Sequence, residues 1–270
     1  MQQRQLDRRL YFKELATTSE KYFVPYLENF VKIGAGTNVL EIGCGDGGNL
    51  LPFAKLGCSV VGCDIADMRI NDARKFFSEE HVEAKFIACD AFLLKDLENQ
   101  FDIILCHDVI EHIYDKIGFM TKCKKLLKSN GIIFMSFPAW QMPFGGHQQI
   151  CKGFLLSHLP FMHLLPNIIY KGLLKIGKEG AGCIKELMNI KQTRCSVELF
   201  ENVLKRTGYT IENRIAWFIN PHYEVKFGLK PRKLYMVIDK LPYIRDFFTT
   251  SSFYDAARPS DSIYWRIENA

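Results

Sequence analysis

The sequence holds nine cysteines, at positions 44, 58, 63, 89, 106, 123, 151, 183 and 195, yet contains no Cys-x-x-Cys pair. An odd set of single cysteines without metal-ligand spacing excludes a disulfide framework and argues against structural zinc; reduced core thiols in a cytoplasmic protein are expected. Long unbroken apolar runs are also missing. The most apolar stretch, residues 153–175, is interrupted by Pro160 and Pro166, so no membrane-spanning helix is expected. The N-terminus lacks the succession of basic, apolar and small residues that marks a secretory leader, and none is expected. Strong charge of one sign is absent: a net +5 over 270 residues is too mild to argue for nucleic acid as a partner. No internal repeat and no low-complexity linker divides the chain. With 48% hydrophobic and 24% charged residues, it can bury a core as one large domain, or one domain with insertions.

Residues Val39 to Leu50, VLEIGCGDGGNL, organise everything else. Val39, Leu40 and Ile42 suit a short buried parallel strand. Gly43, Gly45, Gly47 and Gly48 follow, with Asp46 among them, before a helix-like NLLPFAKLG. Strand, glycine turn and helix in that order leave free helix N–H groups facing a ligand that can lie against bare backbone. Gly43-x-Gly45-x-x-Gly48 also satisfies the dinucleotide fingerprint, which keeps a NAD-dependent oxidoreductase open. The surrounding acids favour another ligand. Glu41 ends the first strand, Asp46 sits in the loop, and Asp64 and Asp90 end the next two strands (SVVGCD and KFIACD). Four carboxylates would repel a pyrophosphate but suit an ammonium and a sulfonium, the charges of S-adenosylmethionine.

These motifs resemble those of the class I S-adenosylmethionine-dependent methyltransferases. The family's acidic-x-Gly-x-Gly-x-Gly corresponds to Glu41-Ile-Gly43-Cys44-Gly45-Asp46-Gly47. Its ribose-binding acid corresponds to Asp64, followed by Ile65, and its adenine-side acid to Asp90, followed by Ala91. Its fourth-strand motif corresponds to FDIILCHDVIEH, residues 101–112, in which the resemblance gives His107 a cofactor contact. Its fifth-strand motif corresponds to residues 126–138. The motifs cover roughly residues 37–138, and the wording after strand 4 is closest to a small-molecule branch that includes quinone-biosynthesis methyltransferases. The resemblance implies a Rossmann-like α/β fold, a seven-stranded mostly parallel sheet with an antiparallel last strand, and helices on both faces.

Taken in order, residues 1–36 predict an N-terminal helical cap, with Tyr11, Tyr22 and Phe23 either touching the cofactor or serving as core aromatics. Strands are expected at about 37–42, 59–63, 84–88, 101–106 and 131–137, with helices at 48–56, 66–79, 93–98 and 114–128. An alternation of this kind puts a ligand at the carboxyl ends of the strands, where every motif falls. Residues 139–195 form an insertion, or lid, on the acceptor side. A helix at 196–207 and a strand at 209–219 follow, then a second irregular insertion at 220–260. Residues 262–268, which alternate in polarity, are expected to form the antiparallel strand.

Methyl transfer needs little covalent chemistry from a protein beyond in-line positioning, and a hydroxyl acceptor that keeps its proton benefits from a base. His147, in a Gly-Gly-His run, is the first candidate for base or acceptor contact, although it equally suits a surface loop; His112 is the second, or else caps the following helix. His107, Asp108, Glu111 and His112 are dense in ligand atoms but match no zinc template, so no metal is expected. The apolar 154–178 segment, with Lys171 and Lys175, reads as a lid or as an interfacial contact with a membrane. Basic stretches at 185–194 and 226–233 suit an anionic or lipid-linked acceptor, or are solvated faces. S-adenosylmethionine-dependent O-methylation of a small molecule or glycan precursor is the expected function, yielding S-adenosylhomocysteine. The alternatives are the oxidoreductase and a non-catalytic cofactor-binding module. No nucleic acid is expected, since the Asn/Asp-Pro-Pro-aromatic motif of amino-methylating enzymes is absent after strand 4.

Overall fold

Strands that are apolar at nearly every position must be covered on both faces, and this requirement sets the architecture. The computed structural model describes residues 7–258. Its strands are β1 (Asn38–Ile42), β2 (Ser59–Asp64), β3 (Lys85–Ala88), β4 (Phe101–His107), β5 (Leu127–Phe137), β6 (Thr210–Ile219), β7 (Arg232–Lys233) and β8 (Ser251–Ala257). Its helices are α1 (Arg8–Thr18), α2 (Val24–Leu27), α3 (Leu51–Lys55), α4 (Asp67–Glu79), α5 (Lys116–Leu126), α6 (Phe154–His158), α7 (Asn167–Ile176), α8 (Ala181–Thr193), α9 (Val197–Arg206), α10 (His222–Phe227) and α11 (Met236–Asp239). The strands form one sheet in the order β3-β2-β1-β4-β5-β8-β6-β7. β1 to β5 pair in parallel, and β8 runs antiparallel between β5 and β6.

Alternation along each strand divides the core. Ile104 and Cys106 of β4 face α5 and α9, meeting Phe119, Met120, Phe200 and Leu204. Ile103 and Leu105 face the opposite layer, with Phe12, Phe53, Ile70 and Phe76 of α1, α3 and α4. Each such phenylalanine, withdrawn from water, contributes about 1.5–3 kcal/mol. Helix starts follow local chemistry: Asp7, Asp115 and Ser196 accept from the N–H groups of Leu10, Gly118 and Leu199 and cap α1, α5 and α9. The 139–195 insertion builds a third, separate core of Cys151, Leu156, Met162, Tyr170, Leu174 and Leu187.

Three expectations change. The antiparallel strand between β5 and β6 is β8, which lies inside the stretch expected to be irregular, while residues 262–268 lie outside the described residues. Its sequence SSFYDAA lacks β-branched residues, so pairing on both sides, rather than propensity, makes it a strand. The sheet has eight strands because the two-residue β7 adds to the β6 edge. No helix covers 93–98: a single turn, Ala91–Leu93, is followed by left-handed backbone at Asp96 and Asn99. The N-terminal segment is helical from Arg8 to Leu27, as two helices joined by a widened turn at Ser19–Phe23, with Pro25 opening the second.

Candidate active site

The glycine loop leaves β1 with φ of 73°, 51° and 81° at Gly43, Gly45 and Gly47. At Gly43 the requirement is also steric, because a Cβ there would sit 2.2 Å from Val109 Cγ2. The N–H groups of Gly43 and Cys44 donate to the Cys63 carbonyl at 2.7 and 3.0 Å, tying the loop to the end of β2. Asp64 completes the brace: Oδ2 accepts from Gly45 N–H at 2.9 Å and Oδ1 from Ala66 N–H at 2.8 Å. Each oxygen keeps a second lone pair, and Asp64 is half-buried. Asp90 is exposed and accepts from Phe92 N–H at 2.9 Å, with Ala91 beside it; Ile65 is exposed at the mouth. The Cys44 side chain is buried against Gly62, so only its backbone borders the loop.

The four acids are not equivalent. Asp46 is buried and paired with Arg8 of α1, with Arg69 at 3.5 Å, so its charge is neutralised within the protein. Glu41 is buried, its Oε1 accepts from Asn49 Nδ2 at 2.7 Å, and Oε2 has no partner among the described residues. Burial raises its pKa to about 8, which keeps it largely protonated near neutrality. The expectation of four negative charges in one crevice is therefore corrected: Asp64 and Asp90 carry the accessible charge. Glu41 is instead a buried carboxyl with an unpartnered oxygen that an ammonium would satisfy.

A second cluster lies at the ends of β4 and β5. His107 is fixed by Ser136 Oγ at 3.1 Å from Nδ1 and by the Phe23 ring at 5.2 Å. Asp108, at φ 54°, turns the chain into the Ile110–His112 turn and presents an exposed carboxylate. His147 comes from the insertion, also in left-handed backbone. The two candidate histidines meet edge to face with ring centroids 5.2 Å apart, and Glu111 Oε1 stands 3.9 Å from His147 Nε2 and 4.0 Å from His112 Nε2. Glu111 is buried, and neither carboxylate oxygen has a partner in another residue among the described residues. Surrounding protein disfavours every charged form here. It pushes His147 down to about 4, lowers His112, and raises Glu111 well above the carboxylate range. Both imidazoles are thus neutral near pH 7, each with a ring nitrogen free of a proton, and burial makes them weaker bases than an exposed imidazole. The three residues also offer ligand atoms within 4.8 Å of one another, a spacing that can hold a cation.

The insertion is fastened to this turn. Thr193 Oγ1 donates to the Glu111 carbonyl at 2.6 Å, and the Lys116 ammonium bridges the Ile113 and Thr193 carbonyls. A cleft of about 340 Å³ opens beside His112, lined by Lys185, Glu186, Asn189, Ile190 and Thr193 of α8. Trp140, at the start of the 139–195 insertion, is buried against His163, whose Nε2 lies 2.7 Å from the Trp140 carbonyl.

The N-terminal helices cover the loop. A Cβ on Gly48 would meet the Phe12 carbonyl oxygen at 2.6 Å, and Ser19 Oγ donates to the Asn49 carbonyl at 2.8 Å. Phe23 is core, whereas Tyr11 lies in the field of Asp108, Arg8 and Asp46 and meets the His222 ring edge-on at 6.3 Å. α10 joins this cover through Thr18 Oγ1 and His222 Nδ1 at 2.9 Å and through Tyr22 with Glu224, and Tyr223 feels the charge of Asp108. Arg8, Asn49, His222 and Tyr223 had no signal of their own in the sequence. The Asn220-Pro221 start of α10 could have marked a turn, but not where it points.

With this geometry in hand, comparison with known proteins gives a consistent result. The model of the methyltransferase domain family matches residues 40–135. The chain is 41% identical over 101 residues to a ubiquinone biosynthesis O-methyltransferase of Chelativorans sp. (strain BNC1), covering 37% of this chain and 40% of that protein. Against the protein of that name from Pasteurella multocida it is 32% identical over 132 residues, covering 43% and 54%. The chain thus spans about half or less of the length of these curated relatives. The crystal structure of geranyl diphosphate C-methyltransferase from Streptomyces coelicolor A3(2) superimposes with a TM-score of 0.57, at 12% identity, over 88% of this chain and 79% of that one. Residues 40–135 are a methyltransferase domain, and the described chain has the Rossmann-like methyltransferase fold.

Proposed function

We propose that this protein transfers a methyl group from S-adenosylmethionine to an oxygen of a small acceptor. The observation that supports the reading is the closeness of two groups at the carboxyl ends of neighbouring strands. The glycine turn after β1, braced by Asp64 of β2, packs at Gly43 against Val109 of the turn after β4, and that turn carries Glu111 and His112 beside His147. The residues fit the cofactor: Glu41 has a buried unpartnered oxygen for an ammonium, Asp64 keeps outward lone pairs for a ribose diol, and positive-φ glycines leave room against the backbone. Bound there, S-adenosylmethionine supplies a methyl on sulfonium sulfur, and S-adenosylhomocysteine is the product. Asp64 holds the loop in the binding conformation, and Glu41, Asp90, Ala91 and the backbone of Gly43 to Gly47 line the site. His147, neutral and half-buried, takes the proton from the acceptor hydroxyl as the oxygen–carbon bond forms and the carbon–sulfur bond breaks. His112 packs edge to face against it, and the Glu111 carboxyl group lies 3.9 Å from its Nε2.

Quinone-like phenols and glycan or lipid-linked precursors are the acceptor classes. The relatives' names favour the first, and Lys185 beside the His112 cleft suits an anionic group. Phe154, Leu155, Ile168 and Ile169 are exposed on α6 and α7 with Lys171 nearby. Phe161 meets Phe247 of the second insertion at 6.2 Å, which extends an apolar, basic face suited to a lipid-linked acceptor or to peripheral membrane contact. No helix among the described residues is long and apolar enough to cross a membrane.

The test is calorimetric titration of S-adenosylhomocysteine and, separately, NADH into the purified protein and its Asp64→Ala variant, followed by an acceptor panel. Binding of S-adenosylhomocysteine weakened about 100-fold by Asp64→Ala is expected, since two charge-assisted hydrogen bonds are lost. NADH binding without S-adenosylhomocysteine binding would restore the oxidoreductase. Cofactor binding without turnover on any acceptor, with His147→Ala silent, would leave a non-catalytic module. The Glu111–His112–His147 spacing also supports a second reading in which a divalent cation orients the acceptor oxygen. Turnover abolished by a chelator and restored by Zn²⁺ or Fe²⁺, ions that accept imidazole ligands, would select it over the base.

A further inference from the structure

Away from this crevice, three side chains of the 139–195 insertion converge without serving the reaction. Cys151 follows the Gln148–Ile150 turn, Glu179 follows α7, and Cys183 lies in the first turn of α8. Their sulfur and oxygen atoms all lie within 4.8 Å of one another. Cys151 is 1% exposed and Glu179 7%, while Cys183 is half-buried, so the cluster reaches water on one side. The Glu179 carboxylate is already oriented. Oε2 accepts from Lys152 N–H at 3.0 Å and Oε1 from Gly153 N–H at 2.9 Å, and the carboxylate also accepts from the Cys183 thiol, whose sulfur accepts from the Cys151 thiol. Backbone support of this sort is what a ligating carboxylate ordinarily has.

A second observation concerns the same small core. The Tyr170 side chain, which shares that core with Cys151 and Cys183, is fully buried, and its hydroxyl has no hydrogen-bond partner among the described residues. A buried hydroxyl without a partner is costly, and a water on an ion bound in this core would satisfy it.

The geometry points to a structural site for a thiolate-preferring divalent metal, Zn²⁺ by its chemistry, bound by Cys151, Cys183 and Glu179 with a water in the fourth position. Two sulfurs and one carboxylate select zinc over magnesium or calcium, and four ligands complete a tetrahedron. Binding forms two metal–sulfur bonds as two thiol protons leave to solvent, with no change of oxidation state. The site would join the start of the insertion to α8, pinning a segment whose own core is only a handful of side chains. Cysteines at 151 and 183 have no template spacing, which is why the sequence argued against zinc.

The experiment is titration of reduced, full-length protein with Co²⁺, then competition with Zn²⁺, in the wild type and in Cys183→Ser, Cys151→Ser and Glu179→Gln. One equivalent of Co²⁺ should give a near-ultraviolet thiolate-to-metal band that Zn²⁺ abolishes. The band should vanish in Cys183→Ser, weaken at least tenfold in affinity in Glu179→Gln, and persist in His147→Ala, which separates this site from the histidine cluster. Zn²⁺, but not Mg²⁺, should raise the melting temperature of the wild type and not of Cys183→Ser. Cys183 is partly exposed, so that variant keeps the test sound if Cys151→Ser fails to fold. No thiolate band, a band surviving Cys183→Ser, or a Cys151–Cys183 disulfide as the stable state of the purified protein would each overturn the assignment.

Discussion

The glycine loop and the 139–195 insertion solve the same backbone problem in opposite ways. Both must turn sharply through left-handed conformation. The loop does so with Gly43, Gly45 and Gly47, whereas the insertion does so with His147, Phe161 and Lys178. Glycine takes that conformation without a steric penalty; for other residues it costs about 1–2 kcal/mol and must be held by surrounding contacts. The loop can therefore be shaped by its own residues, with Asp64 as a brace. The insertion is shaped from outside, by Lys191 donating to the His163 and Leu165 carbonyls and Gln148 donating to those of Pro143 and Leu159. His147 is one such residue held by its surroundings, and it stands beside Glu111.

The comparison is broken most directly at Gly43. Gly43→Val puts a branched side chain at φ 73° into Val109, and S-adenosylhomocysteine binding should be abolished in calorimetry; retained affinity would mean the loop does not need glycine. On the other side, His147→Ala should lower kcat about 100-fold while leaving S-adenosylhomocysteine affinity within about twofold, because the side chain rather than the turn is used. An equal loss of affinity would place His147 in the cofactor site instead.

A pH series sharpens the difference between the acids. Glu41 has a folded pKa of about 8, above its ordinary value of 4.5. Its neutral form favours folding, so stability of the ligand-free protein should fall as pH rises from about 4.5 to 8. Pairing with a cofactor ammonium needs the carboxylate, so affinity should rise with pH up to about 8, by as much as about tenfold per unit. Both slopes should flatten in Glu41→Gln, followed by calorimetry and thermal melts. The smallest effect is at Lys178, exposed and left-handed just after α7. Lys178→Gly should stabilise the protein by about 1 kcal/mol in denaturant unfolding with turnover unchanged. A destabilisation would mean that the Lys178 side chain is used.

The loop was legible because everything that defines it is local. Strand, glycines and Glu41 lie within a few residues, and Asp64 ends the next strand. What escaped was long-range. Asp46 looks like a free charge until Arg8, from a helix far earlier in the chain, is seen against it. The β8 strand carries Ser, Asp and Ala at buried positions, and only its two neighbours make it a strand. The two histidines were named separately, but their meeting over Glu111 depends on a left-handed turn at a non-glycine residue, for which periodicity has no signature. The cysteines of the insertion likewise become a group only after α7 and α8 fold back.

The hydrogen bond from Thr193 to the Glu111 carbonyl has a mechanical consequence. α8 forms one wall of the cleft beside His112, and its last residue holds the backbone of Glu111, whose carboxyl group lies beside both imidazoles, with Lys116 as a second fastening. Under the proposed function, an acceptor that drew α8 inward would therefore also move Glu111, so enclosure of the acceptor would be coupled to the setting of the histidine cluster, and a poorly fitting molecule would leave both unset.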